Sequence, residues 1–202
     1  MIEECEFVEC QQGLYAWTPS SGNVCIYDSV FRGGQIGPVF LGGAGGEVRR
    51  CRLIDCKFSL EDSGEVTVTD CDVTREDGGL ALHMTNRLPV VLTNNIFSSN
   101  GTVVYLASYG LGTIRDNQFL RTGDGYWIEC AYHPSFTQDI DFSGNYWGTT
   151  DLEEISEGIW DCYDDPDTYN CVIFEPIADG PVRVESRSWS GVKALFDGES
   201  GD

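Results

Sequence analysis

The chain has 202 residues and a formal net charge of −21, from 33 acidic and 12 basic residues. A field of that sign repels phosphate backbones and anionic lipids, so we expect no nucleic-acid partner and no anionic polysaccharide unless a cation bridges it. No apolar run approaches the length that spans a membrane, which argues against membrane insertion. The 24 glycines favour many turns and few long helices.

A short sequence pattern recurs seven times between the N-terminus and Trp147. It consists of an apolar residue, two further residues, a small polar residue, one residue and then another apolar residue. The small polar residues are Cys5, Ser29, Cys51, Cys71, Asn95, Asn117 and Asn145. Subtracting their numbers gives spacings of 24, 22, 20, 24, 22 and 28 residues. A period in the low twenties with short β-rich runs is typical of one coil of a right-handed parallel β-helix.

Each coil is predicted to contain three short strands. Alternating apolar pairs, such as Val66 and Val68, mark the first strand just before the small polar residue. The second strand follows that residue directly, and the third lies about nine to thirteen residues beyond it. The inward positions of the third strand are predicted to be Leu14/Ala16, Pro38/Phe40, Leu80/Leu82, Val104/Leu106 and Tyr126/Ile128.

Stacking of the coils brings equivalent residues about 4.8 Å apart. Asn side chains that point inward at a turn can then hydrogen-bond to the coils above and below. The seven small polar residues are therefore predicted to form an inward-facing ladder. Cys and Ser at the first four positions keep a small side chain that fits the same turn. Cys51 and Cys71 would lie near enough to form a disulfide, and stacked free thiols suit the same positions equally well.

The repeated pattern stops after Trp147, and a cap is predicted to follow. Thr150-Asp151-Leu152-Glu153 has the form of a capping box, and Leu152, Ile155 and Ile159 share one helical face. A short helix over residues 151–160 would therefore cover the open end of the coils. The predicted organisation is coils at 1–150, a C-terminal cap at 151–177 and a polar tail at 178–202.

An acidic turn lies between two cysteines of this cap. Cys162 and Cys171 are nine residues apart across a turn with Pro166 and are predicted to form a disulfide, which would imply an oxidising compartment. The turn also offers hard oxygen ligands that suit Ca²⁺, although a solvated acidic turn is the favoured interpretation. These weak calcium candidates are Asp164, Asp165 and Asp167. No other cofactor is predicted.

The repeats resemble the pectate-lyase-like right-handed β-helix superfamily. Asn145-Tyr146-Trp147-Gly148-Thr149-Thr150, with the Asp164-Asp165-Pro166 turn and Phe174-Glu175-Pro176, resembles the C-terminal end of bacterial secreted right-handed β-helix repeat proteins. The resemblance implies an all-β, single-stranded right-handed parallel β-helix of about seven coils with a short C-terminal capping helix. It also implies a secreted or cell-surface location. In active relatives, the glycan groove lies on the sheet formed by the third strands.

The outward face of the third strands is the candidate ligand-binding surface. Its aromatic side chains could stack on pyranose rings, and its carboxylates could accept hydrogen bonds from hydroxyls. The candidate residues are Tyr15, Trp17, Glu61, His83, Tyr105, Trp127 and Glu129. A neutral glycan or another extracellular partner would suit this face. The alternative is that neighbouring loops or the C-terminal tail bury these side chains.

Catalysis is not the favoured interpretation of this face. No Arg or Lys falls at its outward positions to act as a lyase base, and neither His83 nor His133 lies in a Gly-His-Gly segment. Glu61 and Glu129 are three coils apart, about 14 Å, which exceeds glycosidase spacing. We therefore predict a non-catalytic module without catalytic residues. The alternatives are a carbohydrate-active enzyme, of lyase or hydrolase type, in the same groove, and a structural spacer.

Overall fold

The structure, a computed structural model, describes most of the chain. The described residues are 1–10, 12–17, 22–34, 36–41, 43–61, 64–85, 89–107, 112–131, 139–168 and 170–181. Within them, the side chains of residues 12, 17, 36 and 39–41 lie outside the description. The predicted polar tail lies outside the described residues from position 182 onward.

The described residues form a parallel β-helix with three long sheets. The first sheet contains β1 (Ile2–Glu3), β4 (Asn23–Tyr27), β7 (Gly45–Arg49), β10 (Val66–Thr69), β13 (Val90–Thr93) and β16 (Thr113–Arg115). The second contains β2 (Glu6–Val8), β5 (Val30–Arg32), β8 (Arg52–Ile54), β11 (Asp72–Arg75), β14 (Ile96–Ser99) and β17 (Gln118–Arg121). The third contains β3 (Gln12–Trp17), β6 (Ile36–Leu41), β9 (Lys57–Glu61), β12 (Leu82–Thr85), β15 (Val104–Leu106), β18 (Ile128–Cys130) and β20 (Ile159–Trp160).

The predicted fold class is confirmed, but the coils are fewer than the predicted seven. Within the described residues, the first and second sheets hold six strands each. The seventh turn opens out: Tyr146 forms only an isolated bridge with Gln118. The strand before it, β19 (Ile140–Asp141), pairs with β21 (Val172–Ile173) from the cap instead of continuing the first sheet.

A left-handed residue forms the corner between the first and second sheets in every coil. It immediately precedes the ladder residue, and its φ angle lies between 46° and 72°. These corner residues are Glu4, Asp28, Arg50, Asp70, Asn94, Asp116 and Gly144. The αL conformation turns the chain within two residues and directs the next side chain into the β-helix.

The Asn ladder is confirmed in the last three coils. The Oδ1 atom of each Asn accepts the amide of the ladder residue one coil earlier, at 2.9 Å for Cys71, 3.0 Å for Asn95 and 2.9 Å for Asn117. Each Nδ2 atom donates to a carbonyl of the preceding coil at 2.8–2.9 Å. All three Asn side chains are buried, so the ladder satisfies polar groups that water cannot reach.

Cysteine thiols replace these amides in earlier coils. The Sγ atom of Cys51 donates to the carbonyls of Ile26, at 3.5 Å, and Arg49, at 3.4 Å. Cys71 donates likewise to Val48 at 3.7 Å and Thr69 at 3.3 Å. Asn117 and Asn145 use the same two acceptors: the carbonyl two residues earlier, and the carbonyl three residues before the preceding ladder residue. The thiol therefore serves as a weaker donor in the same hydrogen-bonding pattern.

The core runs along the inside of the three sheets, largely as predicted. In the third sheet Leu82, Val104, Leu106 and Ile128 are buried. Leu80 and Tyr126 were also predicted to point inward but are only half-buried, because β12 and β18 begin two residues after them. Phe40 was predicted to point inward as well, but its side chain lies outside the described residues.

The predicted capping helix exists but is shorter and begins differently. Helix α1 spans Leu152–Glu157, and its N-cap is Asp151 rather than Thr150. The Asp151 carboxylate accepts the amides of Glu153 and Glu154, which leaves the Thr150 hydroxyl without that role. The helix ends at Glu157 with Gly158 as its C-cap, so Ile159 lies not on α1 but on β20, which extends the third sheet by pairing with β18.

The end of the cap is covalently closed. Cys162 and Cys171 form the predicted disulfide, with their Cα atoms 5.0 Å apart. Trp147 is buried at the last coil, and its ring contacts those of Phe119 and Phe142. The cap therefore covers the C-terminal end of the core, which consists of aromatic side chains.

Candidate functional site

The outer face of the third sheet aligns four of the seven predicted ligand-binding residues at its centre. Strand pairing places His83, Tyr105 and Glu129 at successive positions of one outward column. Glu61 lies in the neighbouring outward column, opposite Thr85. These residues are half-buried, and they form the candidate site.

An imidazole–carboxylate pair lies at the centre of this candidate site. The Nδ1 atom of His83 is 3.2 Å from Oε1 of Glu61. Burial lowers the pKa of His83 and nearby Lys57 lowers it further, while Glu61 opposes them. The imidazole is therefore neutral at pH 7, and Nδ1–H donates to the carboxylate. Its Nε2 atom is then an acceptor with no hydrogen-bond partner among the described residues.

Aromatic and acidic groups lie on the C-terminal side of His83. The ring of Tyr105 is 5.4 Å from the imidazole and tilted by 41°. One coil further on, Oε2 of Glu129 accepts a hydrogen bond from the Thr102 hydroxyl at 3.2 Å. The result is a short strip of polar and aromatic groups that can meet an uncharged ligand with hydroxyls.

Sequence reasoning missed Ser59, which pairs in register with His83 on the same outward column. Its side chain is fully buried, and its Oγ atom has no hydrogen-bond partner within the described part of the chain. The alternation of β9 around the buried Leu60 was the available signal, because it places Ser59 and Glu61 on the same side.

Tyr15 lies further along the face, near the N-terminal end. Its side chain is 44% exposed, and it occupies the same outward column three strand pairings from His83. It is therefore available to solvent but separate from the imidazole. Trp17 ends β3, and its side chain lies outside the described residues, as does all of His133.

The predicted position of Trp127 is wrong. Its side chain is only 3% exposed, because β18 begins at Ile128 and Trp127 belongs to the corner before it. The Trp127 amide donates to the carbonyl of Gly158 at 2.7 Å. The Arg121 guanidinium lies 4.2 Å from the ring centroid, and the Trp147 ring meets it edge-on at 6.3 Å. Trp127 is therefore part of the contact between the coils and the cap.

Two of the three suggested calcium ligands in the acidic turn of the cap accept hydrogen bonds from backbone amides. The carboxylate of Asp165 accepts the amide of Asp167 at 3.0 Å, and that of Asp164 accepts the amide of Asp161 at 3.3 Å. Among the described residues, no group of three or more His, Cys, Asp or Glu side chains is placed to hold a metal ion. The carboxylates of Asp164 and Asp165 thus hold the local backbone.

Asp161 anchors this turn and was not predicted. It is buried, and its carboxylate accepts the amides of Val172 at 2.7 Å and Tyr163 at 2.9 Å. Burial raises the pKa of Asp161, against the effect of those two hydrogen bonds. Its role is to fix the disulfide loop against β21.

Two adjacent buried thiols form the other notable cluster. Cys51 and Cys71 are free, are 2% and 0% exposed, and occupy equivalent ladder positions of neighbouring coils. The neighbouring Cys71 lowers the pKa of Cys51, and burial opposes that shift. Burial raises the pKa of Cys71 well above its ordinary value. Of the two alternatives left open by the sequence, the structure has the free thiols.

Comparison with known proteins gives one family. Residues 1–157 match the family model described as "Periplasmic copper-binding protein (NosD)". No curated protein and no solved structure matches the chain. Within the described residues, no helix is long and apolar enough to cross a membrane.

Proposed function

The chain belongs to the NosD family, and from that premise we propose that it is a periplasmic β-helix module that binds an uncharged, polyhydroxylated ligand, such as a neutral glycan. The ligand would lie on the outer face of the third sheet, across His83 and Tyr105. The module would bind its ligand without transforming it.

The observation that carries this proposal is the Glu61–His83 pair. Because Glu61 fixes the Nδ1 proton, the free Nε2 atom of His83 is a directed acceptor for a ligand hydroxyl. The Tyr105 ring, 5.4 Å away, offers an apolar face and a phenolic hydroxyl beside it. A sugar ring presents the same combination of apolar faces and hydroxyl edges.

The charge of the protein supports an uncharged ligand. The net charge is −21, and Glu61 and Glu129 add carboxylates to the candidate site itself. A uronic acid or a phosphorylated glycan would meet repulsion there, whereas a neutral hydroxyl can donate to a carboxylate.

The test is binding to an array of uncharged oligosaccharides, with uronic-acid-containing oligosaccharides for comparison, followed by calorimetry on any neutral hit. We expect His83→Ala and Tyr105→Ala each to weaken binding about tenfold, which corresponds to about 1.4 kcal/mol. Thr93→Ala is the matched control, because Thr93 lies on the first sheet beside the buried Leu92.

Binding that both site variants leave unchanged would refute the proposed face, and preference for the acidic oligosaccharides would refute the ligand class. Release of reducing ends or of unsaturated products from the same panel would identify the carbohydrate-active enzyme instead.

Copper is the ligand named in the family description. Cu(II) takes tetragonal sets of nitrogen and oxygen donors, and the described residues supply no cluster of three metal-binding side chains. At His83 the Glu61 carboxylate holds Nδ1, the ring nitrogen opposite the free Nε2, so the described donors do not form the tetragonal set that Cu(II) takes. No step of ligand binding on this face is therefore assigned to copper.

A further inference from the structure

We infer that the described coils do not hold the copper that the family description implies, and that the adjacent thiols of Cys51 and Cys71 act instead as hydrogen-bond donors of the ladder. The inference concerns Cu(I), because thiolates are the ligands that select it. It does not depend on the glycan proposal.

Within the described residues, Cys51 and Cys71 are the one pair of free thiols at equivalent positions of neighbouring coils. At the ladder position, Ser29 separates Cys5 from Cys51. At the next corner, Gly34 occupies the coil between Cys10 and Cys56. The remaining free thiols are Cys25 and Cys130, each on a different sheet.

The oxygen atoms around the pair suit thiols and not thiolates. Each Sγ atom faces two backbone carbonyls, at 3.4 and 3.5 Å for Cys51 and at 3.3 and 3.7 Å for Cys71. Binding Cu(I) between the sulfurs would form two S–Cu bonds and release both S–H protons to solvent. The carbonyls of Arg49 and Thr69 would keep the amides of Asp28 and Arg50 as donors. All four carbonyl oxygens would lose the thiol contacts and face a buried, net negative bis-thiolate.

Ionisation of both thiols is also opposed by their pairing. The neighbouring Cys71 lowers the pKa of Cys51, whereas complete burial, together with the nearness of Cys51, raises the pKa of Cys71 well above its ordinary value. One thiolate is thus stabilised only while the other sulfur keeps its proton. A two-thiolate site needs both.

One substitution at position 71 can separate the hydrogen-bonding role of the thiol from copper binding. Asn95 donates to the Val68 carbonyl and accepts the Cys71 amide from the neighbouring ladder position. An Asn at position 71 can donate to Val48 and Thr69 in the same way, so Cys71→Asn keeps the ladder while removing a sulfur.

The test is anaerobic Cu(I) titration of the full chain against the chelator bicinchoninate, with thiolate-to-copper ultraviolet absorption as a second readout. Cys5, Cys10 and Cys25 are replaced by Ser in every protein tested, because their thiols are not buried. Cu(I) is added both to folded protein and during refolding, since Cys51 and Cys71 are enclosed. Cys130→Ser is the matched control for loss of a buried thiol.

We expect Cys71→Asn to fold, by circular dichroism, and to leave Cu(I) binding and the ultraviolet band as they are in the parent protein and in Cys130→Ser. A tenfold or greater loss of Cu(I) affinity in Cys71→Asn alone would overturn the inference. X-ray absorption spectroscopy of the copper-treated parent protein tests the inference without any substitution at Cys51 or Cys71. The inference would be refuted if copper were bound by two sulfur atoms and if bound copper protected Cys51 and Cys71 from alkylation. Any other coordination would support it.

Discussion

The ladder changes its chemistry halfway along the β-helix. Among the last three rungs, each Asn donates and accepts hydrogen bonds of 2.7–3.0 Å to the neighbouring coils and its own corner, apart from one of 3.4 Å from Asn145 to Ser143. The cysteine rungs use thiols whose contacts to carbonyls are 3.3–3.7 Å long. The same αL corner therefore accepts strong or weak donors, and stability is distributed unevenly along one repeated architecture.

The largest expected effect is in the Asn half, at Asn117. Its Oδ1 accepts both the amide and the side chain of Asn95, and its Nδ2 donates to Leu92, Arg115 and Asn145. Asn117→Ala leaves several of these buried groups without partners, so we expect a loss of about 3–5 kcal/mol in the free energy of unfolding. Urea titration followed by circular dichroism measures it.

Asn100→Ala is the control for that substitution, because Asn100 is exposed. Its loss should be below about 1 kcal/mol. If the two variants unfold at the same urea concentration, the buried hydrogen bonds of Asn117 do not stabilise the fold.

An intermediate effect is expected in the Cys half, at Cys71. Cys71→Ala removes a weak donor and a small buried volume, so we expect a loss of about 2 kcal/mol. Cys130→Ala removes the same volume outside the ladder and should cost about 1 kcal/mol. Chemical denaturation of both variants isolates the ladder contribution, and a greater loss in Cys130→Ala would show that the thiol does not serve the ladder.

The smallest effect is expected from His83, between the two halves. Its pKa in the folded protein is below the ordinary 6.5, so the unfolded chain binds the proton more readily. Its contribution to stability is therefore present above pH 6.5 and is lost as the pH falls through the lowered value. The groups that face the imidazole are Lys57, Glu61 and Tyr105.

His83→Gln removes this titration. The urea midpoint of the parent protein should fall relative to that of the variant between pH 7.5 and 5. Parallel pH profiles for the two proteins would mean that folding does not change the pKa of His83.

The β-helix was predictable because its ladder leaves a direct mark in the sequence. Asn95, Asn117 and Asn145 recur one coil apart at a corner where burial permits only small side chains that can hydrogen-bond. The αL residue before each rung could have been predicted too. Asp, Asn or Gly precedes five of the seven ladder residues, and these residue types tolerate positive φ best.

The candidate site was predicted less well, because the third strand does not keep a constant distance from the ladder. Tyr105 lies ten residues after Asn95, while Glu129 lies twelve after Asn117, yet the two are paired. The corner between the second and third sheets varies in length between coils. A fixed offset therefore placed Trp127 on the outer face, although it packs beneath the cap.

The pairing of each coil with only its two neighbours has a consequence for how the chain folds. In such a one-dimensional array, structure can start at any coil and spread to the next, and it starts most readily where adjacent units stabilise each other most. The three consecutive Asn rungs, closed by Trp147 and the cap, are that place. Folding is thus expected to proceed from the C-terminal coils toward the cysteine rungs, opposite to the direction of synthesis.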